Sequence, residues 1–500
     1  MTPASTQEHR APSVLESAAR LQLTASILRS GVLFAFQWAF GRFYGPEIFG
    51  IANTAQAGLQ VATMVGRSAG DTVVLRGSLE AGDATGKAIS QGVTLSLVGG
   101  VLAGLALAAW GVLAPVQASA ATPRAAFYLA AATVPLAATL FPLGAILQRE
   151  QRFLPYTLIT TLIEPLARFA VLLAVVMAGS HWLWAMAGFP IAAAAALFIA
   201  LLTLRTTLHG RSIGIEGGDR TTLIAFSGET TVASALQASM FLAALTIAAG
   251  VATGEDVGRF AAAARIVMLS LWIQTAYATS FLPQIPALLS AWGRREDLDR
   301  LYKRVIRAVL WVNGPLLVGL AAGAEGIMEL FGSRFGSGAA LLLIVTVGQW
   351  LNSTTALAED FLPLSGRSRL ALMNNLGALM LTGIGAYVLG QSFGIGGVAL
   401  AYAGATALLN VVRAVQVRRL YGISIPLGTA VKMTGIGAVV LSIWFFLDLQ
   451  LSAAHLLLGA ALCGLATFLL MTVVANRAER SALIALIHPR AVVSGPAGQT

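Results

Sequence analysis

Apolar stretches long enough to cross a lipid bilayer recur about fourteen times along this 500-residue chain, and the short segments between them alternate, arginine-rich and then nearly uncharged. Positive charge collects in cytoplasmic loops, so the alternation gives a topology as well as a class. Twenty-four of the 32 lysines and arginines fall in segments that this rule places in the cytoplasm, with the largest cluster at Arg294, Arg295, Arg300, Lys303, Arg304 and Arg307. Four, Arg42, Arg124, Arg259 and Arg334, fall on the opposite side. The last four, Arg29, Arg67, Arg168 and Arg265, fall inside spans. Both termini are therefore expected in the cytoplasm.

Composition excludes a water-exposed surface for the whole chain. Hydrophobic residues make up 57% and charged residues 11%, against about 25% charged in soluble domains. The net charge of +10 reads as a basic membrane face that meets anionic headgroups and not as a nucleic-acid surface. Cys463 is the single cysteine and lies in an apolar run, so no intrachain disulfide forms and the thiol reads as packing. No signal peptide is read in the polar first twenty residues.

The expected spans are 22–44, 48–72, 88–114, 125–147, 155–178, 182–204, 222–249, 257–283, 305–323, 338–362, 370–390, 394–417, 428–447 and 452–474. The second and eighth are the least apolar, which leaves twelve or thirteen as alternative counts. Gly45-Pro46-Glu47 before the second span and Gly254-Glu255-Asp256 before the eighth form a weak repeat six spans apart. An even offset keeps the two halves in one orientation, as in transporters built from parallel repeats. The expected fold is an all-α polytopic membrane protein: a tail 1–20, a six-helix bundle 21–208, a linker 209–221, a second six-helix bundle 222–420 in pseudo-twofold arrangement with the first, two further helices in 427–475, and a tail 476–500.

Polar residues inside the spans are the candidate functional groups, because a lone charge in hydrocarbon costs a few kcal/mol or more. At 100° per residue Asn53, Gln56, Gln60, Arg67 and Asp71 share an arc of roughly 60° on the second span. They line a cavity or bond neighbouring helices, and Arg67 and Asp71 have the spacing of a self-neutralising pair. Arg29 either reaches a cavity or snorkels to the interface. Arg265 either meets a ligand or pairs with Glu229 of the seventh span. Glu164 and Arg168, one turn apart, read first as a structural pair. Gln349, Asn352, Ser353 and Asp360 share a face of the tenth span; Glu359 and Asp360 near its end read as hydrated interfacial carboxylates, or as a coupling site for a cation or proton. Trp38, Trp272 and Trp350 fit packing or an interfacial belt before sugar stacking.

Some motifs carry no chemistry here. Gly210-Arg211-Ser212-Ile213-Gly214 spells a nucleophile elbow with no strand before it. Gly82-Asp83-Ala84-Thr85-Gly86-Lys87-Ala88 is one residue short of a phosphate loop and lacks its Ser/Thr. The five histidines have no metal-ligand spacing. No cofactor or metal is implied, and nothing in the pattern reads as an enzyme.

Gly41-Arg42-Phe43-Tyr44-Gly45-Pro46-Glu47-Ile48-Phe49-Gly50, then Arg76 and Glu80-Ala81-Gly82-Asp83, resemble the start and end of the second helix in polysaccharide flippases. Phe260 to Arg265, Leu282-Pro283-Gln284-Ile285-Pro286, Leu330-Phe331-Gly332-Ser333-Arg334-Phe335 and Gly394-Ile395-Gly396-Gly397-Val398-Ala399 resemble further motifs of that family in the same order. The similarity runs over about 20–420 and is to the polysaccharide-transporter branch of the multidrug/oligosaccharidyl-lipid/polysaccharide exporter superfamily. The resemblance implies translocation of a polyprenyl-diphosphate-linked oligosaccharide across a bacterial inner membrane, for lipopolysaccharide or exopolysaccharide. It implies membrane lipids, polymerase and glycosyltransferases as partners, and no nucleic acid. Related flippases place arginines on helices one, two and eight, which assigns Arg29, Arg67 and Arg265 here to the diphosphate. An ion-coupled exporter of small amphipathic compounds, using Glu229, Asp71 or Asp360, is the alternative; a membrane scaffold has no use for a polar stripe across the bilayer.

The charge pattern makes the orientation testable. Reporter fusions after Gly210 and Glu296 are expected to behave as cytoplasmic, and fusions at Arg334 and Ser392 as periplasmic. A periplasmic Glu296 overturns the assignment, since its segment holds the largest cation cluster.

Overall fold

A computed structural model describes residues 11–67, 70–71, 74, 85–113, 123–207, 220–281, 285, 295–355, 357–447, 452–480 and 482, and all of its regular structure there is helical. In chain order the helices are α1 (Ala11–Gly66), α2 (Thr85–Leu113), α3 (Pro123–Arg149), α4 (Phe153–Thr157), a π-helical turn (Leu158–Ile163), α5 (Glu164–Met177), α6 (Trp182–Thr207), α7 (Arg220–Val251) and α8 (Gly254–Phe281). They continue as α9 (Arg295–Ala322), α10 (Ala324–Glu329), a 3₁₀ turn (Ser333–Gly338), α11 (Ala339–Thr355), α12 (Ala358–Leu364), α13 (Ser368–Tyr421), α14 (Leu427–Phe446) and α15 (Ala453–Val474). Ten spans among the described residues are long and apolar enough to cross a membrane; α1 and α8, which hold the two least apolar expected spans, are not among them.

Two of these helices are pairs folded at a glycine. α1 turns at Gly45, with φ 79° and ψ 174°, and α13 turns at Gly394, with φ 57° and ψ −140°. Side chains are excluded from both conformations, so the achiral residue sets the corner. Pro46 follows Gly45 at the start of the next leg, where its missing N–H costs nothing. Counting the legs on each side of the two corners brings the expected succession of fourteen helices into view, with the first leg of α1 starting at Ala11 and not near residue 22.

The chain divides into two compact units, 1–242 and 243–500. In the first, α2 lies on α3 through small residues. A methyl group placed on Gly104 would sit 2.8 Å from the Ala131 carbonyl oxygen, and one on Gly100 would sit 2.8 Å from Pro135 Cα. Apolar side chains gain nothing over lipid tails by meeting each other, so close backbone approach supplies the contact energy. The π turn ends where Pro165 removes an N–H from the ladder of α5.

In the second unit Leu298, Tyr302, Ile306, Val309 and Trp311 of α9 pack with Phe361, Val417, Met433 and Met471. Tyr302 meets the Phe361 ring edge-on at 6.1 Å, and Trp311 meets Phe468 at 5.9 Å. α14 and α15 close over α9: Trp444 Nε1 donates to the Ala322 carbonyl at 2.9 Å, and Cys463 is buried beside Val318 and Val440, as a packing residue.

Overpacking costs about 1–3 kcal/mol. Gly104→Val is expected to lower the thermal midpoint of the detergent-solubilised protein by several degrees. The same change at Gly383, which has open space around it, is expected to leave it nearly unchanged.

Candidate functional site

The polar stripe on the second leg of α1 splits into two parts with different chemistry. At its amino end Asn53 is buried and donates from Nδ2 to Gln37 Oε1 (3.2 Å) and to the Phe49 carbonyl (3.0 Å). Gln37 Nε2 donates to Gln56 Oε1 at 2.7 Å. Gln37 lies on the first leg, so three amides clasp the two legs across the Gly45 corner, and Asn53 and Gln56 are interhelical bonds. Gln60, one turn on, is exposed.

At the carboxyl end the stripe carries charge. Arg67 Nη2 lies 2.8 Å from Asp71 Oδ2, and Nε donates to Oδ1 at 3.2 Å. The guanidinium also stacks 4.7 Å from the Phe141 ring centroid. The carboxylate holds one edge of the fork. The Nη1 edge has no acceptor among the described residues, and the side chain is 30% exposed. A guanidinium anchored on one edge and open on the other is pre-organised for a bidentate oxyanion.

Arg168 is different. Its side chain is buried, it pairs with Glu164, and its guanidinium sits 4.0 Å from the Phe189 centroid and 5.9 Å from that of Phe36. A carboxylate and two aromatic rings surround it. Arg29 is exposed on the first leg of α1, and no carboxylate pairs with it among the described residues.

In the second unit Arg265 is half-buried on α8, its Nη1 3.6 Å from Met268 Sδ and its charge within range of the Tyr402 phenol. The side chains of Glu229 and Asp360 lie outside the described residues, as do Arg76, Glu80 to Asp83 and most of the Leu282–Pro286 motif. Phe260 packs edge-on against Tyr402. Glu255 and Asp256 hold Arg259, with Glu255 also bound to Arg334, and Thr253 and Asp256 cap each other at the start of α8. Those contacts build the start of α8. Trp350 donates to Thr434 Oγ1 at 2.8 Å, which is a packing role.

The most extended polar feature among the described residues of this unit was legible in the sequence only as the Gln349, Asn352 and Ser353 face of the tenth span. Asn313 Nδ2 donates to the Ser270 carbonyl (3.2 Å) and Ser353 Oγ (3.0 Å), and Gln274 Nε2 donates to the same hydroxyl (2.9 Å). Asn352 Nδ2 donates to Gln349 Oε1 at 3.2 Å and accepts at Oδ1 from Asn410 Nδ2 at 2.7 Å. Arg413 then donates to Asn410 Oδ1 (3.1 Å), Asn375 Oδ1 (2.7 Å) and Glu359 Oε2 (3.3 Å). The spine joins α8, α9, α11, α12 and both legs of α13. Arg413 is a buried member of the spine, 2% exposed. The Asn410/Arg413 and Ser270/Gln274 spacings were the available signal, hidden because each pair alone is only two polar residues in an apolar run. No cluster of three metal-ligating side chains exists among the described residues.

Removing one partner of a buried ion pair costs about 3–5 kcal/mol; Glu359 is 39% exposed, which places the pair below that range. Arg413→Met is therefore expected to lose about 2–3 kcal/mol, and Arg413→Met/Glu359→Gln distinctly less than the two single losses together. Arg67→Gln, half-exposed, is expected within about 1 kcal/mol of wild type. Additive losses at 413 and 359 in thermal denaturation would remove the pair from the spine.

The sequence profile described as "Polysaccharide biosynthesis protein" matches residues 39–338. A search of the curated proteins finds no sequence match. Among solved structures, a lipid II flippase MurJ in an inward closed conformation is similar with a TM-score of 0.71 at 14% identity, over 90% of this chain and 98% of that one. An inward-facing multidrug resistance MATE family transporter of the MOP superfamily aligns with a TM-score of 0.64 at 15% identity, over 81% and 98%. A MOP superfamily transporter from Pyrococcus furiosus aligns at 0.57 and 16% identity, over 81% and 95%. These likenesses establish the fold.

Proposed function

The chain belongs to the polysaccharide biosynthesis protein family, and on that premise we propose that it flips a polyprenyl-diphosphate-linked oligosaccharide from the cytoplasmic to the periplasmic leaflet of a bacterial inner membrane by alternating access. The fold shared with a lipid II flippase and with MATE transporters supports a lipid-linked cargo moved by a helical transporter. The observation that carries the reading is Arg67. A diphosphate needs fork donors in a place that its lipid can reach, and Arg67 offers a guanidinium held on one edge by Asp71 and open on the other. Arg29 is exposed on the same helix and supplies a second cation; Arg265 is the matching candidate in the second unit. Gln60 offers an exposed amide to sugar hydroxyls, whereas Asn53 and Gln56 position the legs of α1. The two compact units supply the two bodies that alternating access requires.

Alternating access puts the prenyl chain in lipid and only the headgroup in protein, so a few cations and amides suffice. The exporter reading requires a carboxylate free to change its charge during transport. Asp71 is bound to Arg67, which counts against it as that carboxylate; Glu229 and Asp360, the other two candidates, lie outside the described side chains.

Deletion is expected to abolish one surface or secreted polysaccharide and to accumulate its lipid-linked unit on the inner leaflet. Arg67→Gln is expected to abolish flipping at near-normal protein level, and Arg67→Lys to restore part of it. The pair-neutral Arg67→Gln/Asp71→Asn is expected to stay inactive, because a ligand contact cannot be replaced as a unit. Full activity in that double variant assigns Arg67 to charge balance alone; normal polymer with altered drug tolerance in the deletion strain supports the exporter.

A further inference from the structure

The amino-terminal third of α9 is amphipathic in charge. Leu298, Tyr302, Val305, Ile306 and Val309 are buried in the core of the second unit. On the opposite side Arg300, Lys303, Arg304 and Arg307 share an arc of roughly 100°. Two of these cations are neutralised from within the helix: Arg300 by Asp297 at 2.6 Å, and Lys303 by Asp299 at 2.6 Å. Asp299 is itself fixed, accepting the Ser424 backbone N–H at 3.0 Å.

Arg304 and Arg307 differ from these two. Neither has a carboxylate within ion-pair distance among the described residues, and Arg307 Nε is buried with no acceptor. They lie one turn apart on one face, so a single anionic group can be shared between them. Their depth is informative. From Ala308 to Ala322 the helix is apolar except for Asn313, about 22 Å of rise at 1.5 Å per residue. The hydrocarbon core of a bilayer is about 30 Å thick. The residues just before Ala308 therefore reach the boundary where lipid phosphates lie. An unpaired guanidinium with a desolvated N–H is costly there unless an oxygen acceptor comes from the bilayer itself.

We infer that Arg304 and Arg307 form a binding site for the phosphate of an anionic glycerophospholipid. The inference needs only that α9 spans a membrane; it does not depend on the chain being a flippase. The ligand chemistry is a phosphodiester with no compensating cation of its own. A zwitterionic headgroup carries an ammonium that the two arginines repel, so the site discriminates by net charge.

The test uses the full-length protein in detergent with an equal mixture of phosphatidylglycerol and phosphatidylcholine, and counts retained lipid by native mass spectrometry. Wild type is expected to keep phosphatidylglycerol in preference to phosphatidylcholine. Arg304→Gln/Arg307→Gln is expected to lower that preference, roughly five-fold for each arginine removed. Arg304→Lys/Arg307→Lys keeps the charge and is expected to retain most of it. Asp297→Asn/Arg300→Gln removes a neutralised pair and is expected to change nothing. An unchanged preference in the glutamine variant sinks the proposal, and so does an equal loss in the Asp297/Arg300 variant, which would mean a diffuse field. Should the glutamine variant fold poorly, added polyprenyl diphosphate decides on the wild type. Failure to displace the bound phosphatidylglycerol supports the phospholipid site, and displacement at equimolar amounts reassigns the arginines to the transported lipid.

Discussion

A guanidinium placed in hydrocarbon has to be neutralised where it stands, and that requirement organises much of this protein. Arg168 is enclosed by Glu164 and two phenylalanine rings. Arg413 is enclosed by Glu359, Asn375 and Asn410. Each arrangement joins helices that have no hydrophobic reason to prefer each other over lipid. The cost of the charge becomes a constraint on which helices are neighbours. Arg67 obeys the same rule only on one edge, and this difference separates a structural arginine from one available to a ligand.

Uncharged polar groups extend the logic. The Gln37–Asn53–Gln56 clasp fixes the angle between the legs of α1, on which Arg29, Gln60 and Arg67 are mounted. The spine from Ser270 to Arg413 ties five helices of the second unit together. A connected network favours one arrangement of the helices, and Asn313 Oδ1, Gln349 Nε2 and Arg413 Nε are the members left without a hydrogen-bond partner among the described residues. Between the polar ties, contact is made by small residues. Gly104 against Ala131 in the first unit and Gly319 against the Ala460 carbonyl in the second bring backbones close enough for dispersion to hold them.

The helical architecture was legible in the sequence for physical reasons that act locally. Span length is set by bilayer thickness, and loop charge by the asymmetry of the membrane. The corners at Gly45 and Gly394 were visible as Gly-Pro-Glu and Gly-x-x-Gly motifs, since only glycine enters those dihedral angles. The Glu164/Arg168 and Arg67/Asp71 pairs were visible because i,i+4 spacing is a property of one helix. Part of the stripe on α1 was read correctly as a face, but the same reading did not separate buried Asn53 from exposed Gln60.

Periodicity reports which side of a helix a residue occupies, and that much the sequence alone determined: an all-helical membrane protein, its spans, its polar faces and its self-contained ion pairs. It does not report what stands opposite. Asn313 and Ser353 are 40 residues apart, Asn352 and Asn410 are 58, and Glu359 and Arg413 are 54. Their pairing exists only once three or more helices have packed. Tertiary structure therefore decided that Arg413 is an internal tie. It decided too that Asn53 and Gln56 clasp a corner, and that Arg67, Arg304 and Arg307 keep donors to spare. A hydrogen bond across helices depends on depth and azimuth in both partners, and a single strand of sequence fixes neither for the pair.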